Sequence, residues 1–227
     1  MTKVDFDEYA ERYDELLSEK TKFFSDDLSY FSKYKAKVAS EILPSSRINA
    51  LLEFGCGTGR NIPYLQKYFP RAVVSGSDIS EASINIAKEA SPDARFYLET
   101  GISDDIGKFD LIFVAGVFHH IEVNKRLQTM ADLYERLNHD GYIFVFEHNP
   151  YNPITRRIVS NCEYDLDAVL LRPAELLGYF SKIGLVEINR GFSLFFPPFL
   201  GSKFHLIERF MSWMPLGGQY WAMGRKK

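Results

Sequence analysis

Short apolar runs alternate with amphipathic stretches through the middle of the chain. The runs at 48–54 (INALLEF), 72–78 (AVVSGSD), 94–99 (ARFYLE), 109–115 (FDLIFVA) and 141–147 (GYIFVFE) have strand length and strand composition, and all five carry an acid at or near one end. Helical spacing fills the intervals. Leu127, Met130, Tyr134 and Leu137 are separated by three, four and three residues, which puts them on one helix face with Gly141 as the stop. Arg172-Pro173 opens a further helix with Leu176, Phe180 and Ile183 on its buried side. This alternation predicts an α/β fold, a mostly parallel sheet covered by helices.

The two ends read differently. Phe6, Tyr9, Tyr13 and Leu16 form one stripe within a helical stretch over the first 45 residues, before Pro44 and Ser45-Ser46 introduce the first strand. Toward the other end, 185–196 is extended and aromatic-rich, Pro197-Pro198 breaks it, 202–213 is helical and 218–225 returns to strand. No repeat, glycine/serine linker or charge block divides the chain. The expected organisation is one domain over 1–227: a helical cover at 1–45, a core at 46–150, and the remaining helices and last strands at 151–227.

Composition narrows the classes. At 227 residues, 46% apolar and 25% charged, the chain can bury roughly 70% of its unfolded surface without a disulfide or metal staple. A net charge of −3 lacks the basic excess of a duplex-binding module, so duplex nucleic acid is not expected as a partner and nucleic acid stays open only as a locally bound substrate. Cys56 and Cys162 are far apart with no ligand spacing, which fits a reducing compartment. Residues 1–20 are acidic and polar, and no window approaches the 18–20 apolar residues of a spanning helix, so a cytoplasmic location is expected.

The segment LLEFGCGTGRN at 51–61 sets Gly55, Gly57 and Gly59 directly after a predicted strand and before a predicted helix. Glycines there permit positive φ and close approach of a ligand to backbone N–H groups. Arg60 stands where a dinucleotide fingerprint requires glycine or alanine, which argues against a nicotinamide site. Asp78 ends the second strand nineteen residues beyond Gly59, about the separation that places a carboxylate on a ribose diol. Glu53 adds an acid two residues before the glycines, suited to a ligand with positive charge.

Together, E53-F-G-C-G-T-G59, Asp78, the segment F109-D-L-I-F-V-A-G-V-F-H-H-I121 and the segment N138-H-D-G-Y-I-F-V-F146 resemble the class I S-adenosylmethionine-dependent methyltransferases over about 50–147. The resemblance implies a Rossmann-like seven-stranded sheet with helices on both faces, and an aromatic insert before a last antiparallel strand at 218–225. It implies S-adenosylmethionine as cofactor. The residues it assigns to cofactor binding are Glu53, Gly55, Cys56, Gly57, Gly59, Asp78, Ile79, Ala115 and Val117, with Glu99 or Thr100 at the adenine and Tyr13 closing over the ligand. The chain departs from the family after strand three, where Glu99-Thr100-Gly101 stands in place of an Asp followed by a small residue.

Methyl transfer from a sulfonium is an in-line displacement, so the protein must align donor and acceptor and, where needed, remove a proton. His119 and His120 after strand four, and His148 after strand five, are the candidate bases, at strand ends where open α/β sheets bind ligands. No metal is assigned, because adjacent histidines rarely both turn to one ion without further ligands. Arg156 and Arg157 in EHNPYNPITRR are candidates for an anionic group on the acceptor. Of Phe192, Phe195, Phe196, Phe199, Trp213, Tyr220 and Trp221, at least half are expected to pack in the core of the last two strands, while residues 195–214 are expected to form a cap over an apolar or lipid-linked acceptor, or to rest on a membrane surface. The expected partner is thus a small-molecule methyl acceptor. Two alternatives remain open: a non-catalytic adenosylmethionine-binding subunit, and a nicotinamide-dependent oxidoreductase, the latter disfavoured by Arg60 and the lack of a Tyr-x-x-x-Lys pair.

Overall fold

The computed structural model describes residues 6–10, 27, 29–99, 107–197, 207–208 and 210–227. Tyr13, Leu16, Thr100 and Phe199 therefore lie outside the described residues. Seven strands form one sheet: β1 Ala50–Phe54, β2 Val73–Asp78, β3 Arg95–Leu98, β4 Phe109–Ala115, β5 Leu137–His148, β6 Val186–Ser193 and β7 Gln219–Arg225. Their order is β3-β2-β1-β4-β5-β7-β6. The β1–β5 ladders are parallel, and β7 runs antiparallel to both of its neighbours. This is the Rossmann-like sheet with a late antiparallel strand that the resemblance implied.

Successive residues along the central strands point to opposite faces and find different partners. Leu52, Ile112, Val114, Ile143 and Val145 pack with Met130 and Leu133 of helix α5 (Arg126–Glu135) and with Leu176 and Phe180 of α7 (Pro173–Ile183). Leu51, Leu111, Phe113, Phe144 and Phe146 face Ala36 and Ala39 of α2 (Ser29–Ile42) and Ile62 and Leu65 of α3 (Ile62–Tyr68). Phe144 and Phe146 stack at 5.1 Å, and Trp221 of β7 continues the column 5.4 Å from Phe144. Both faces are covered, which explains why these strands read as unbroken apolar runs.

Local signals set the helix ends. Ser80 caps α4 (Glu81–Ala90) by accepting from Ser83 N–H, and Asn152 accepts from the Ile154 and Thr155 N–H groups at the start of α6 (Pro153–Ser160). Gly184 ends α7 at φ 87°, the left-handed position that glycine takes without steric cost. The expected helix through Leu137 ends earlier. Glu135 closes α5, and Leu137 already pairs with Phe109 in the β4–β5 ladder, which shifts register before Leu111. Gly141 is thus inside β5, where an added Cβ would stand 2.9 Å from the Asn138 carbonyl oxygen and 3.0 Å from that of Phe109. The period-3.6 spacing was real over 127–134, and Leu137 joined it by coincidence.

Of the N-terminal cover, α2 and the short helix α1 (Phe6–Tyr9) are described, and Asp7 of α1 accepts from Ser80 Oγ at 2.6 Å and from Ala82 N–H at 3.1 Å, docking the segment onto the start of α4. The run at 202–213 is helical at Ile207, Glu208, Phe210 and Met211. Among the described residues, no helix is long and apolar enough to cross a membrane.

Candidate active site

A cavity of about 690 Å³ lies at the C-terminal ends of the parallel strands, within the usual size of a small-molecule site at that position. Its floor is the glycine loop. Gly55 and Cys56 donate their N–H groups to the Ser77 carbonyl at 2.8 and 2.9 Å, tying the loop to β2. Gly55 has φ 69° and Gly57 φ 52°, and the two differ in surroundings: a Cβ at Gly55 would stand 2.4 Å from Val117 Cγ2, whereas one at Gly57 would meet nothing within 4 Å.

Asp78 closes one side. Its Oδ2 accepts from Gly57 N–H at 2.8 Å and its Oδ1 from Ser80 N–H at 2.9 Å, so the carboxylate is oriented before any ligand arrives. Burial raises its pKa against the lowering effect of those two bonds. Ile79 follows it on the cavity wall and is 57% exposed, an apolar surface facing the open space. Glu53 is buried behind the loop. Its Oε1 accepts from Asn61 Nδ2 at 2.5 Å while Oε2 has no hydrogen-bond partner among the described residues, and burial pushes the acid up to about 8. Cys56 is buried, which raises its thiol far above its ordinary value and keeps it neutral. Ala115, Val117 and Glu99 are also on the wall. The Glu99 carboxylate is gripped by both terminal nitrogens of Arg136 at 2.6 and 2.9 Å, a bidentate pair that fixes its orientation.

A histidine cluster also lines the cavity. The end of β4 turns through a 3₁₀ segment, Phe118–His120, and β5 ends at His148; because these strands are neighbours, His119 and His148 meet with ring centroids 4.9 Å apart. His119 is buried, with Nδ1 2.6 Å from Glu147 Oε2. Glu147 Oε1 in turn accepts from the Val117 and Phe118 N–H groups at 3.1 and 2.7 Å. Burial disfavours charge on His119, but Glu147 and Asp165 outweigh it and hold the imidazole at about 10. Burial and the neighbouring His119 push His120 and His148 down to about 4, so both are neutral at pH 7.

Asp165 was not singled out from the sequence. Its Oδ1 lies 3.5 Å from His119 Nε2 and 3.3 Å from His120 Nε2. It sits on a segment that crosses the cluster, held where Val169 N–H donates to the His119 carbonyl at 2.8 Å. The fully buried Arg126 pins the same segment, donating to the carbonyls of Val169 and Ile121 at 2.5 and 3.0 Å and reaching Glu175 at 3.3 Å. Nothing in residues 163–171 resembles a motif, and only proximity reveals the role of Asp165.

The aromatic segment divides. Phe192, Tyr220 and Trp221 belong to the core, whereas Leu194, Phe195 and Pro197 line the cavity with Leu216, Ile154 and Ile158. Phe210 and Trp213 are 81% and 77% exposed. Glu208, buried, holds the insert down: Oε1 accepts from the Phe195 and Phe196 N–H groups at 2.8 and 3.1 Å, and Oε2 from the Tyr34 hydroxyl at 3.1 Å. Arg156 and Arg157 do not reach this cavity; both are exposed and line a separate recess with Leu166 and Leu170, because α6 turns Thr155 and Ile158 inward instead. Besides His119, the lysine and arginine side chains on the cavity wall are Lys35, Arg60 and Lys125 among the described residues.

A doubly covered sheet with a glycine loop, an oriented acid after β2 and a cavity over both defines a Rossmann-like cofactor-binding protein. Residues 52–143 match the family model described as a methyltransferase domain. An uncharacterized methyltransferase of Alkaliphilus oremlandii is 27% identical over 200 residues, covering 83% of this chain and 88% of that protein. A trans-aconitate 2-methyltransferase of Escherichia coli is 32% identical over 115 residues, which are 48% of this chain and 42% of that enzyme, so this chain spans less than half of it. Among solved structures, a SAM-dependent methyltransferase from Archaeoglobus fulgidus superposes with a TM-score of 0.68 at 16% identity, over 94% of this chain and all of the other. Over residues 52–143 the chain is thus similar to a methyltransferase domain, on the fold that S-adenosylmethionine-dependent methyltransferases share.

Proposed function

We propose that the single domain transfers the methyl group of S-adenosylmethionine to a small-molecule acceptor bound beneath the aromatic insert. The observation that carries this reading is the layout of one continuous cavity: Gly57 and Asp78 on one side, an apolar wall of Phe195, Pro197 and Leu216 on another, and the histidine cluster on the same wall system. Asp78, with two of its lone pairs already used, offers the rest to the ribose hydroxyls. Gly55, Cys56, Gly57 and Gly59 follow the methionyl part, Glu53 stands behind the loop as an acid that keeps its proton at neutral pH until a cationic ligand favours its ionised form, and Ile79, Ala115 and Val117 give the flat apolar contact that adenine needs. Glu99 serves at the adenine edge through its backbone or through the Arg136-bound carboxylate.

Chemistry then needs alignment and a proton acceptor. In-line transfer forms the acceptor–carbon bond as the carbon–sulfur bond breaks, and leaves S-adenosylhomocysteine. His148 is neutral and on the cavity wall, so it is the group best placed to take the acceptor's proton, with His119 orienting the cluster through Glu147 and His120 beside it. The predominantly apolar wall favours an apolar acceptor, and half-buried Lys35 provides for a carboxylate or similar anion in place of the turned-away arginines. The named E. coli relative acts on such an acid.

Calorimetric titration with S-adenosylmethionine, S-adenosylhomocysteine and NADH tests the reading. Both sulfur ligands should bind and NADH should not, and Asp78→Ala should weaken S-adenosylmethionine binding at least tenfold in a folded protein. Binding of NADH alone would overturn the proposal, and an Asp78→Ala protein with unchanged affinity would remove Asp78 from the ribose.

A further inference from the structure

The cluster at the end of β4 has the geometry of a cation site. Asp165 Oδ1 stands 3.3 Å from His120 Nε2 and 3.5 Å from His119 Nε2, and the ligand atoms of the three residues all lie within 4.8 Å of one another. These separations are long for good hydrogen bonds. The two distances to Asp165 match the edges of a coordination polyhedron: bonds of about 2.0–2.2 Å opened at a tetrahedral angle place ligand atoms roughly 3.3–3.6 Å apart.

The outer nitrogens strengthen the case. A ligating imidazole ordinarily turns its second nitrogen to a carboxylate, which fixes the ring and raises its basicity. His119 Nδ1 is 2.6 Å from Glu147 Oε2, and Glu147 is itself held by two backbone N–H groups. His120 Nδ1 faces Asp167 Oδ1 at 3.7 Å. Each ring therefore has a carboxylate on its far side and shares Asp165 on its near side. The neighbouring turn explains how adjacent histidines manage this: the 3₁₀ segment Phe118–His120 stacks the rings 4.2 Å apart instead of pointing them to opposite faces.

We propose that His119, His120 and Asp165 bind one divalent transition cation of the zinc or ferrous type, with its remaining positions open to the cavity. Two imidazoles and one carboxylate with free positions suit such ions better than magnesium or calcium, which want an all-oxygen shell. Its use follows from the methyl-transfer reading and rests on it: the open positions would hold an oxygen or sulfur of the acceptor next to the methyl donor. With the cation bound, His120 is a ligand and proton removal is left to His148.

Binding is tested apart from turnover. Tag-free protein stripped with chelator is titrated with Zn²⁺ by calorimetry and with Co²⁺ by visible absorption, and S-adenosylmethionine binding of every sample is measured as the check on folding. One equivalent of Zn²⁺ should bind, Co²⁺ should develop ligand-field bands, and Asp165→Ala and His120→Ala should each weaken Zn²⁺ at least 100-fold while binding S-adenosylmethionine. His139→Ala, at an exposed position, should leave Zn²⁺ affinity unchanged. Wild-type protein that binds S-adenosylmethionine but neither metal overturns the site, as does Zn²⁺ binding that survives both variants. Metal binding without S-adenosylmethionine binding would leave the site standing and sink the methyl-transfer reading.

Discussion

Gly55 and Gly57 share a backbone conformation but not a neighbourhood, and replacing each by alanine separates folding from cofactor binding. At φ 52° Gly57→Ala incurs the left-handed penalty of about 1–2 kcal/mol and nothing more, since its methyl meets no atom within 4 Å. At φ 69° Gly55→Ala incurs the same penalty plus a methyl placed 2.4 Å from Val117 Cγ2, an overpacking cost of about 1–3 kcal/mol. For a chain of this size 1 kcal/mol moves the melting temperature by roughly 2–4 °C. Gly57→Ala should therefore lower Tm by roughly 2–8 °C and Gly55→Ala by roughly 4–20 °C in ligand-free thermal melts. The order inverts in function: the Gly57→Ala methyl projects into the space assigned to the cofactor, so calorimetry should show S-adenosylmethionine affinity reduced at least tenfold, out of proportion to the small stability loss. Adding Val117→Ala should return part of the stability lost in Gly55→Ala and none of the affinity lost in Gly57→Ala. A Gly57→Ala protein that binds S-adenosylmethionine as tightly as wild type would refute the placement of the cofactor over this loop.

Glu53 has a folded pKa of about 8, above its unfolded value, so between roughly pH 4.5 and 8 the folded chain holds a proton that the unfolded chain has lost. Unfolding free energy should fall as pH rises through that window, by up to about 3–5 kcal/mol from this group, and Glu53→Gln should flatten the slope in denaturant titrations at several pH values. An unchanged slope would mean that Glu53 stays ionised in the fold. For the acceptor site, His148→Ala should lower kcat at least tenfold with S-adenosylmethionine affinity changed less than threefold; equal turnover would reduce His148 to packing. Glu208→Ala strips the acceptor from two N–H groups and the Tyr34 hydroxyl, and should cost about 1–3 kcal/mol and raise hydrogen exchange at Phe195 and Phe196 above wild type. Protection equal to wild type would show that the insert is held by other contacts.

What the sequence revealed and what it hid follow from the range of the interactions involved. The glycine loop, Asp78 and the strand ends were legible because each depends on neighbours a few residues away: β1 must turn into α3 at 55–61, and the acid must close β2. His119 and His148 were legible as a pair because β4 and β5 are adjacent in the expected strand order. Asp165 was not, since it reaches the histidines only when residues 163–171 are laid across the 3₁₀ turn and pinned by Arg126, and no local pattern encodes that crossing. Glu208 was hidden for the same reason. Leu137 shows the opposite failure: its spacing from Tyr134 is helical, yet pairing with Phe109 takes it into the sheet, a tertiary preference overriding a local one. Arg156 and Arg157 carried a plausible chemistry with the wrong orientation, which α6 decides by burying Thr155 and Val159.

The strand order has a consequence for assembly. β7 lies between β5 and β6, so β6, although made earlier, has no place in the sheet until residues 219–225 have been added. Until then β5 presents an unpaired edge from Tyr142 to His148, with Ile143, Phe144, Val145 and Phe146 at its centre, the kind of exposed edge that recruits another chain. The late arrival of β7 also brings Gly218 and Gln219 to the cavity wall. Closure of the sheet and completion of the acceptor side are thus one event, and a nascent chain short of β7 would be at once inactive and prone to self-association.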